Sequence, residues 1–260
     1  MRSDPPLAGT GLAAGHDHVE RNLTMRRAAA RRIVLATLLC VGLATSCPAC
    51  ARRSDPPFMQ VRSWTLADRD LASPQARPPA YDLRIEMAII SGSRWVPVVI
   101  FDAVRRTAAI LAQCDIRISR VELHEYEAPR RYRYLSTPDS REFARLAGLK
   151  RPAVFLVDDT LERPAFDAEA VGRANAKTRP EMMDTVWITA GIHDLPVALA
   201  HELVHVLTDS GDHSDAADNL MRDETAPSSS RLEPQQCRTI AAKGQANGLL
   251  QRVPPADGRR

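Results

Sequence analysis

The segment from Leu195 to Leu207 constrains this chain more than any other feature, because as a helix it would be apolar on every side. Only His201, Glu202 and His205 interrupt its apolar residues. A helix without a polar face has to be covered all round by other elements, so the segment predicts a buried helix inside a layered fold. Asp194, directly before it, is the expected N-cap.

The rest of the chain predicts strands and helices that can cover this buried helix. Alternating and continuous apolar runs indicate strands, whereas apolar residues at helical spacing indicate helices. The predicted elements, in chain order, are a strand at 81–90, a helix at 96–114, a strand at 115–126 with a slip near Ser119, a short helix at 141–149, strands at 153–157 and 185–189, the buried helix, and a last helix with Ser230 and Glu233 as its capping pair. This order predicts an α+β fold: a mixed twisted sheet, a buried helix and a small C-terminal helical subdomain.

The three ionisable residues of the buried helix form the pattern His-Glu-x-x-His. Residues four apart on a helix lie on one face about one turn apart, so His201 and His205 can bind the same cation. Glu202 lies beside them, where its carboxylate can take a proton from a water molecule. Burying two imidazoles and a carboxylate without hydrogen-bond or metal partners would destabilise an apolar core, because these groups lose their hydration. We therefore interpret the pattern as a metal site.

A catalytic zinc ion needs three protein ligands and one open position, so a third ligand is expected nearby. Gly211 can end the helix in a left-handed conformation and turn the chain back. His213 follows this glycine and is the predicted third ligand. The alternatives that remain open are Asp209, Asp212 and Glu224.

Together, His201-Glu202-x-x-His205, the glycine turn, His213 and the later Asn219-Leu220-Met221 resemble the metzincin clan of zinc peptidases. The resemblance implies that Met221 forms an apolar floor beneath three zinc-bound imidazoles and that Glu202 is the catalytic base. His213 comes two residues later than in the usual metzincin motif, so the similarity is to the clan and to no particular subfamily.

The same resemblance implies a metalloendopeptidase that takes a peptide or protein substrate. An extended peptide would pair with an edge strand at Val186, Trp187 and Ile188, and the long polar loop at 160–184 would form one wall of the cleft. Two other functions remain open: a non-catalytic exported protein that keeps the fold and binds zinc, and a zinc hydrolase that cleaves non-peptide amides such as cell-wall crosslinks.

The N-terminal region predicts export. A basic stretch followed by the apolar run 33–46 is typical of a secretory signal, which we place at 25–51. We expect the upstream extension at 1–24 to be a mis-assigned start. Either an Ala-x-Ala site is cleaved or Cys47 is lipidated as in a bacterial lipoprotein. We expect a Pro- and Arg-rich linker at 52–80, and the zinc-binding domain at 81–260. The location is then periplasmic, lipid-anchored at the outer surface, or secreted.

Charge and cysteine content narrow the function classes further. Residues 1–51 hold six arginines and three acidic residues, so the rest of the chain, with 29 basic and 29 acidic groups, has no net charge. This balance argues against a nucleic-acid partner. We expect a monomer that meets a membrane only through an N-terminal lipid. Cys114 and Cys237 are the two cysteines of the domain, and they are expected to form a disulfide in an exported protein.

Overall fold

The fold is built on a mixed β-sheet with helices packed against it. A computed structural model of the protein describes residues 55–71, 78–161, 171–173, 179–223 and 226–254. The strands are β1 (Met59–Ala67), β2 (Tyr81–Ile90), β3 (Ile116–Glu127), β4 (Tyr134–Leu135), β5 (Ala153–Val157), β6 (Asp159–Thr160), β7 (Val171–Arg173), β8 (Thr185–Thr189) and β9 (Leu250–Arg252). The α-helices are α1 (Asp68–Leu71), α2 (Pro97–Leu111), α3 (Thr137–Ala147), α4 (Leu195–Thr208) and α5 (Pro234–Ala246).

The strands of the sheet run in the order β1-β3-β2-β5-β8-β7, with β9 paired to the start of β2. The central strands β3, β2, β5 and β8 are parallel, and antiparallel strands β1 and β7 flank them. Side chains alternate between the two faces of a strand. On β5, Val154 and Leu156 therefore enter the core that contains residues of α2, α4 and α5, whereas Phe155 enters a second core with Phe143 of α3. The sheet thus separates a large core around α4 from a smaller aromatic one, and the prediction of an α+β fold with a mixed sheet is confirmed.

Most of the predicted elements are present, including the irregularity in β3. Leu83 pairs with Ile118 and Arg84 pairs with Arg120, so Ser119 is the extra residue of a bulge. Helix α4 is buried along its whole length up to Leu207, as its composition predicts.

The prediction that 52–80 is a linker is wrong for residues 59–71. Strand β1 pairs antiparallel with β3 at the side of the sheet, and α1 follows it. Contacts group Ser54–Arg260 into one compact unit. Strand β1 was missed because an outer strand exposes most of its side chains; of its nine residues only Leu66 is buried, so apolar alternation is weak. The predicted extension at 1–24, the signal at 25–51 and Cys47 lie outside the described residues.

Within the described part of the chain, every helix is too short or too polar to cross a bilayer.

Candidate metal centre

Three histidine side chains converge on the surface of α4. The Nε2 atom of His205 lies 2.9 Å from Nε2 of His201 and 3.1 Å from Nε2 of His213. His201 and His205 are buried, with 4% and 8% of their surface exposed, whereas the His213 side chain is 37% exposed. In the part of the chain that the structure describes, these three residues form the one group suited to hold a metal ion. The predicted ligand set is therefore brought together.

Hydrogen bonds fix the orientation of the two helix-borne rings. Nδ1 of His201 donates to the Leu220 carbonyl oxygen at 2.8 Å, and Nδ1 of His205 donates to the Ser210 carbonyl oxygen at 2.7 Å. Because a carbonyl oxygen can only accept, each Nδ1 carries the hydrogen and each Nε2 presents a lone pair. Lone pairs that point at one another at these distances repel, and a shared cation would satisfy them.

Burial also keeps these imidazoles neutral. It lowers the pKa of His201 to about 4, against the opposing effect of the hydrogen bond to Leu220, and it lowers the pKa of His205 below its usual value. A neutral imidazole is the form that binds a metal, so both side chains are ready to ligate near neutral pH.

Helix α4 begins as predicted but ends differently. The Asp194 side chain accepts a hydrogen bond from the Val197 backbone N–H at 3.2 Å, which confirms it as the N-cap. The left-handed residue at the other end is Asp209, with φ 50°, and not Gly211. Aspartate tolerates this conformation, so no glycine is needed. This early turn brings the Ser210 carbonyl back over the last turn of the helix, within reach of His205.

His213 reaches the centre from the irregular loop after α4. The Ser214 backbone N–H donates to the Met221 carbonyl at 2.7 Å, so the two chain segments run side by side. Nδ1 of His213 lies 3.3 Å from Oδ1 of Asp223, which is exposed. The third ligand thus depends on contacts with a later part of the chain.

The Met221 turn (residues 219–222) supports the helix-borne ligands. It closes through a hydrogen bond from the Arg222 N–H to the Asn219 carbonyl, and the Asn219 side chain accepts from the Met221 N–H at 2.8 Å. Met221 is 4% exposed and belongs to the same core as α4. Through the Leu220 carbonyl, this turn sets the orientation of His201.

A pair of side-chain amides ties the Met221 turn to α5. Asn219 Nδ2 donates to Gln236 Oε1, and Gln236 Nε2 donates to Asn219 Oδ1, both at 3.0 Å. Gln236 also forms the capping box of α5 with Glu233. The predicted box of Ser230 with Glu233 is therefore wrong, because the helix starts at Pro234 and Glu233 itself is the N-cap.

Two further links hold α5 against the rest of the domain. Cys114 and Cys237 form a disulfide with Cα atoms 4.8 Å apart, as predicted. Next to it, Gln113 Nε2 donates to the Ser230 carbonyl and Gln113 Oε1 accepts from the Leu232 N–H. The start of α5 is thereby fixed to the end of α2.

The other candidate residues have different positions. Glu202 lies on α4 beside His201 and is 7% exposed. Asp209 and Asp212 are not part of the metal-binding group, and Glu224 lies outside the described residues. The sequence did not point to Gln236 or Asp223, and it indicated Asn219 only as part of the Asn219-Leu220-Met221 motif, with no role of its own.

The strand that was expected to bind substrate, β8, does not lie at the edge of the sheet. Val186, Trp187 and Ile188 are fully buried, and β7 covers the outer edge of β8 from Thr185 to Trp187. The prediction that β8 offers an open edge is therefore wrong. The covering strand lies in the region that was expected to be the long polar loop, most of which is outside the described residues.

No characterised protein family and no curated protein matches this chain.

Proposed function

We propose that this protein is a zinc-dependent hydrolase that cleaves peptide bonds, with zinc held by His201, His205 and His213. The observation that carries the proposal is the convergence of three Nε2 atoms, two of them on rings whose Nδ1 atoms are held by carbonyl oxygens. Imidazole ligands suit zinc, and catalytic zinc sites combine three protein ligands with one open position.

The spacing of the nitrogens fits this donor set. Tetrahedral ligands at about 2.0–2.1 Å from zinc lie about 3.3 Å from one another. The two distances from His205 are 2.9 Å and 3.1 Å, slightly shorter than this, and all three ligand atoms lie within 4.8 Å of one another. Binding of one ion therefore requires a modest adjustment of the rings. The half-exposed His213 side chain leaves the centre accessible from solvent, as a substrate would require.

Glu202 supplies the acid–base chemistry in this proposal. Bound zinc would act as a Lewis acid that polarises a substrate carbonyl and lowers the pKa of a bound water molecule toward 7. The Glu202 carboxylate accepts the proton that water loses as its oxygen attacks the carbonyl carbon, and then gives that proton to the leaving amine. Glu202 is buried on α4 directly after the ligand His201, which places it beside the centre.

The arrangement of elements supports the resemblance to metzincins. That resemblance implies an edge strand, an active-site helix, a methionine turn and a C-terminal helix. Helix α4, the Met221 turn and α5 follow one another in this order, but the strand directly before α4 is β8, and the outer strand β7 precedes it. Strand β7 is antiparallel to β8 and lies at the end of the sheet. In the proposal, the extended peptide or protein substrate pairs with β7 rather than with β8.

The proposal also places the reaction outside the cytoplasm. This part rests on the basic and then apolar sequence at 25–51.

The first test measures zinc content and peptide hydrolysis together. The proteins are the parent, Glu202→Gln, and Glu127→Gln as a matched control, because Glu127 is an exposed carboxylate at the end of β3. We expect about one zinc per chain in all three proteins. With a quenched fluorescent peptide library as substrate, Glu202→Gln should lose about 10²–10⁴-fold in rate and the control none.

Each alternative outcome has a definite meaning. A fully active Glu202→Gln protein would contradict the assigned base, and a parent without zinc would contradict the metal centre. Zinc without hydrolysis of any library peptide would favour a non-catalytic zinc-binding protein or a hydrolase of non-peptide amides.

A further inference from the structure

The three histidines differ in what holds the nitrogen that faces away from the centre. For His201 and His205 it is a backbone carbonyl oxygen, whereas for His213 it is the carboxylate of Asp223, at 3.3 Å. The Asp223 side chain is 85% exposed, so it has no role in packing the core. Its contact with His213 therefore needs an explanation other than burial.

We propose that Asp223 is a positioning residue for the metal centre, and this rests on the proposed function. Its carboxylate lies 3.3 Å from Nδ1 of His213, attracts the N–H of that nitrogen and so turns Nε2 toward the two helix-borne rings. A carboxylate behind a ligand histidine fixes the tautomer and orientation of the ring and raises its basicity, which strengthens metal binding.

His213 needs this support more than the other ligands do. His201 and His205 are held by a buried helix, so their positions follow from the backbone. His213 lies on an irregular loop and its side chain is 37% exposed, so the ring would otherwise sample several rotamers. The contact with Asp223 selects the rotamer in which Nε2 points inward.

The Met221 turn explains how Asp223 reaches the histidine. The hydrogen bond from the Ser214 N–H to the Met221 carbonyl sets the two chain segments side by side, so residues 213 and 223 become neighbours. The same turn presents the Leu220 carbonyl to His201. One short segment, 219–223, therefore orients two of the three ligands.

The experiment measures zinc affinity by competition with a chelating dye. The proteins are the parent, Asp223→Ala, Asp223→Asn and Asp215→Ala. Asp215 is a matched control, because it is an exposed aspartate on the same loop with no ion pair to another described residue. We expect Asp223→Ala to bind zinc about 10–100-fold more weakly than the parent, and Asp215→Ala to bind as the parent does.

Asp223→Asn separates positioning from general destabilisation. The amide oxygen can still accept from Nδ1 but carries no charge, so zinc affinity should lie between those of the parent and Asp223→Ala. The visible spectrum of the cobalt-loaded protein should change in Asp223→Ala, whereas the melting temperature of the metal-free protein should not.

Zinc affinity and the stability of the metal-free protein together decide whether Asp223 positions His213. If Asp223→Ala binds zinc as tightly as the parent and Asp215→Ala do, Asp223 does not position the ligand, while the metal centre itself stands. If the loss of affinity is matched by an equal loss of stability in the metal-free protein, the role of Asp223 is structural. A parent that binds no zinc overturns the inference together with the proposed function.

Discussion

The two halves of the candidate metal centre are built in different ways. His201 and His205 lie four residues apart on a helix that is buried all round, so their spacing is a property of helical geometry alone. His213 lies on an irregular loop, and its position depends on Met221, Asp223 and, through the Met221 turn, on α5. The helix-borne half, His201 and His205, is local in sequence. The loop-borne half, His213, is assembled by contacts between distant parts of the chain.

This difference implies a difference in stability between the halves. Removal of a buried partner leaves other buried groups unsatisfied, while water can replace a group that is exposed. The helix-borne half is sealed into the large core, and the loop-borne half is reached by solvent. Perturbations of the two halves should therefore differ in size and in the property that they change.

Removal of one ligand from each half gives the largest expected effects. Zinc binding of about 10–16 kcal/mol, shared among three or four ligands, corresponds to about 2.5–5 kcal/mol per ligand. We expect His201→Ala to weaken zinc binding by about 10²–10³-fold, and His213→Ala by about 10–100-fold, because water can take the exposed position. Dye competition measures both affinities, with His193→Ala, an exposed histidine outside the centre, as the control.

Equal losses for His201→Ala and His213→Ala would remove the proposed distinction between the halves. Full retention of zinc in His213→Ala would move the third ligand to another residue, with Asp209, Asp212 and Glu224 as the first candidates.

Loss of the disulfide should affect the loop-borne half more than the helix-borne half. The bond joins residues 123 positions apart and fixes the start of α5, which holds the Met221 turn. We expect the double variant Cys114→Ser, Cys237→Ser to lose about 2–4 kcal/mol of unfolding free energy in urea titrations of the metal-free protein. Hydrogen exchange should rise more at residues 213–223 than within α4.

A reductant provides the control for this experiment. It should lower the stability of the parent to that of the double variant and leave the variant unchanged. Equal increases of exchange in α4 and in residues 213–223 would show that α5 does not support the loop separately.

The contrast between local and long-range structure also explains what the sequence could predict. Helix α4, the buried strand β5 and the bulge at Ser119 follow from patterns within a few residues of each other, and each is present. The disulfide of Cys114 with Cys237 is predictable because the domain has no other cysteines. The features that the sequence did not predict depend on contacts between distant parts of the chain. Strand β1 has little apolar alternation of its own, and the amide pair of Asn219 with Gln236 joins residues 17 positions apart.

The start of α5 shows how a local pattern can mislead. Ser230 and Glu233 have the spacing of a capping box, but the neighbouring pair Glu233 and Gln236 has it too. The second pair is the one used, because Gln236 must also meet the buried Asn219 amide. A long-range contact thus selects between two local patterns of similar quality.

The smallest expected effect tests this choice and its connection to the loop-borne half. Glu233→Ala should cost about 0.5–2 kcal/mol of unfolding free energy, as the loss of an N-cap usually does. Ser230→Ala should cost less than about 0.5 kcal/mol, as a substitution away from a cap does. Both are measured by urea denaturation of the metal-free protein.

The same capping box is connected to the Met221 turn. Because Gln236 Oε1 accepts from both the Glu233 N–H and the Asn219 side chain, loosening the capping box should also raise hydrogen exchange at the Met221 turn. A larger loss for Ser230→Ala than for Glu233→Ala would mean that α5 begins earlier and that the turn is held by something other than this amide pair.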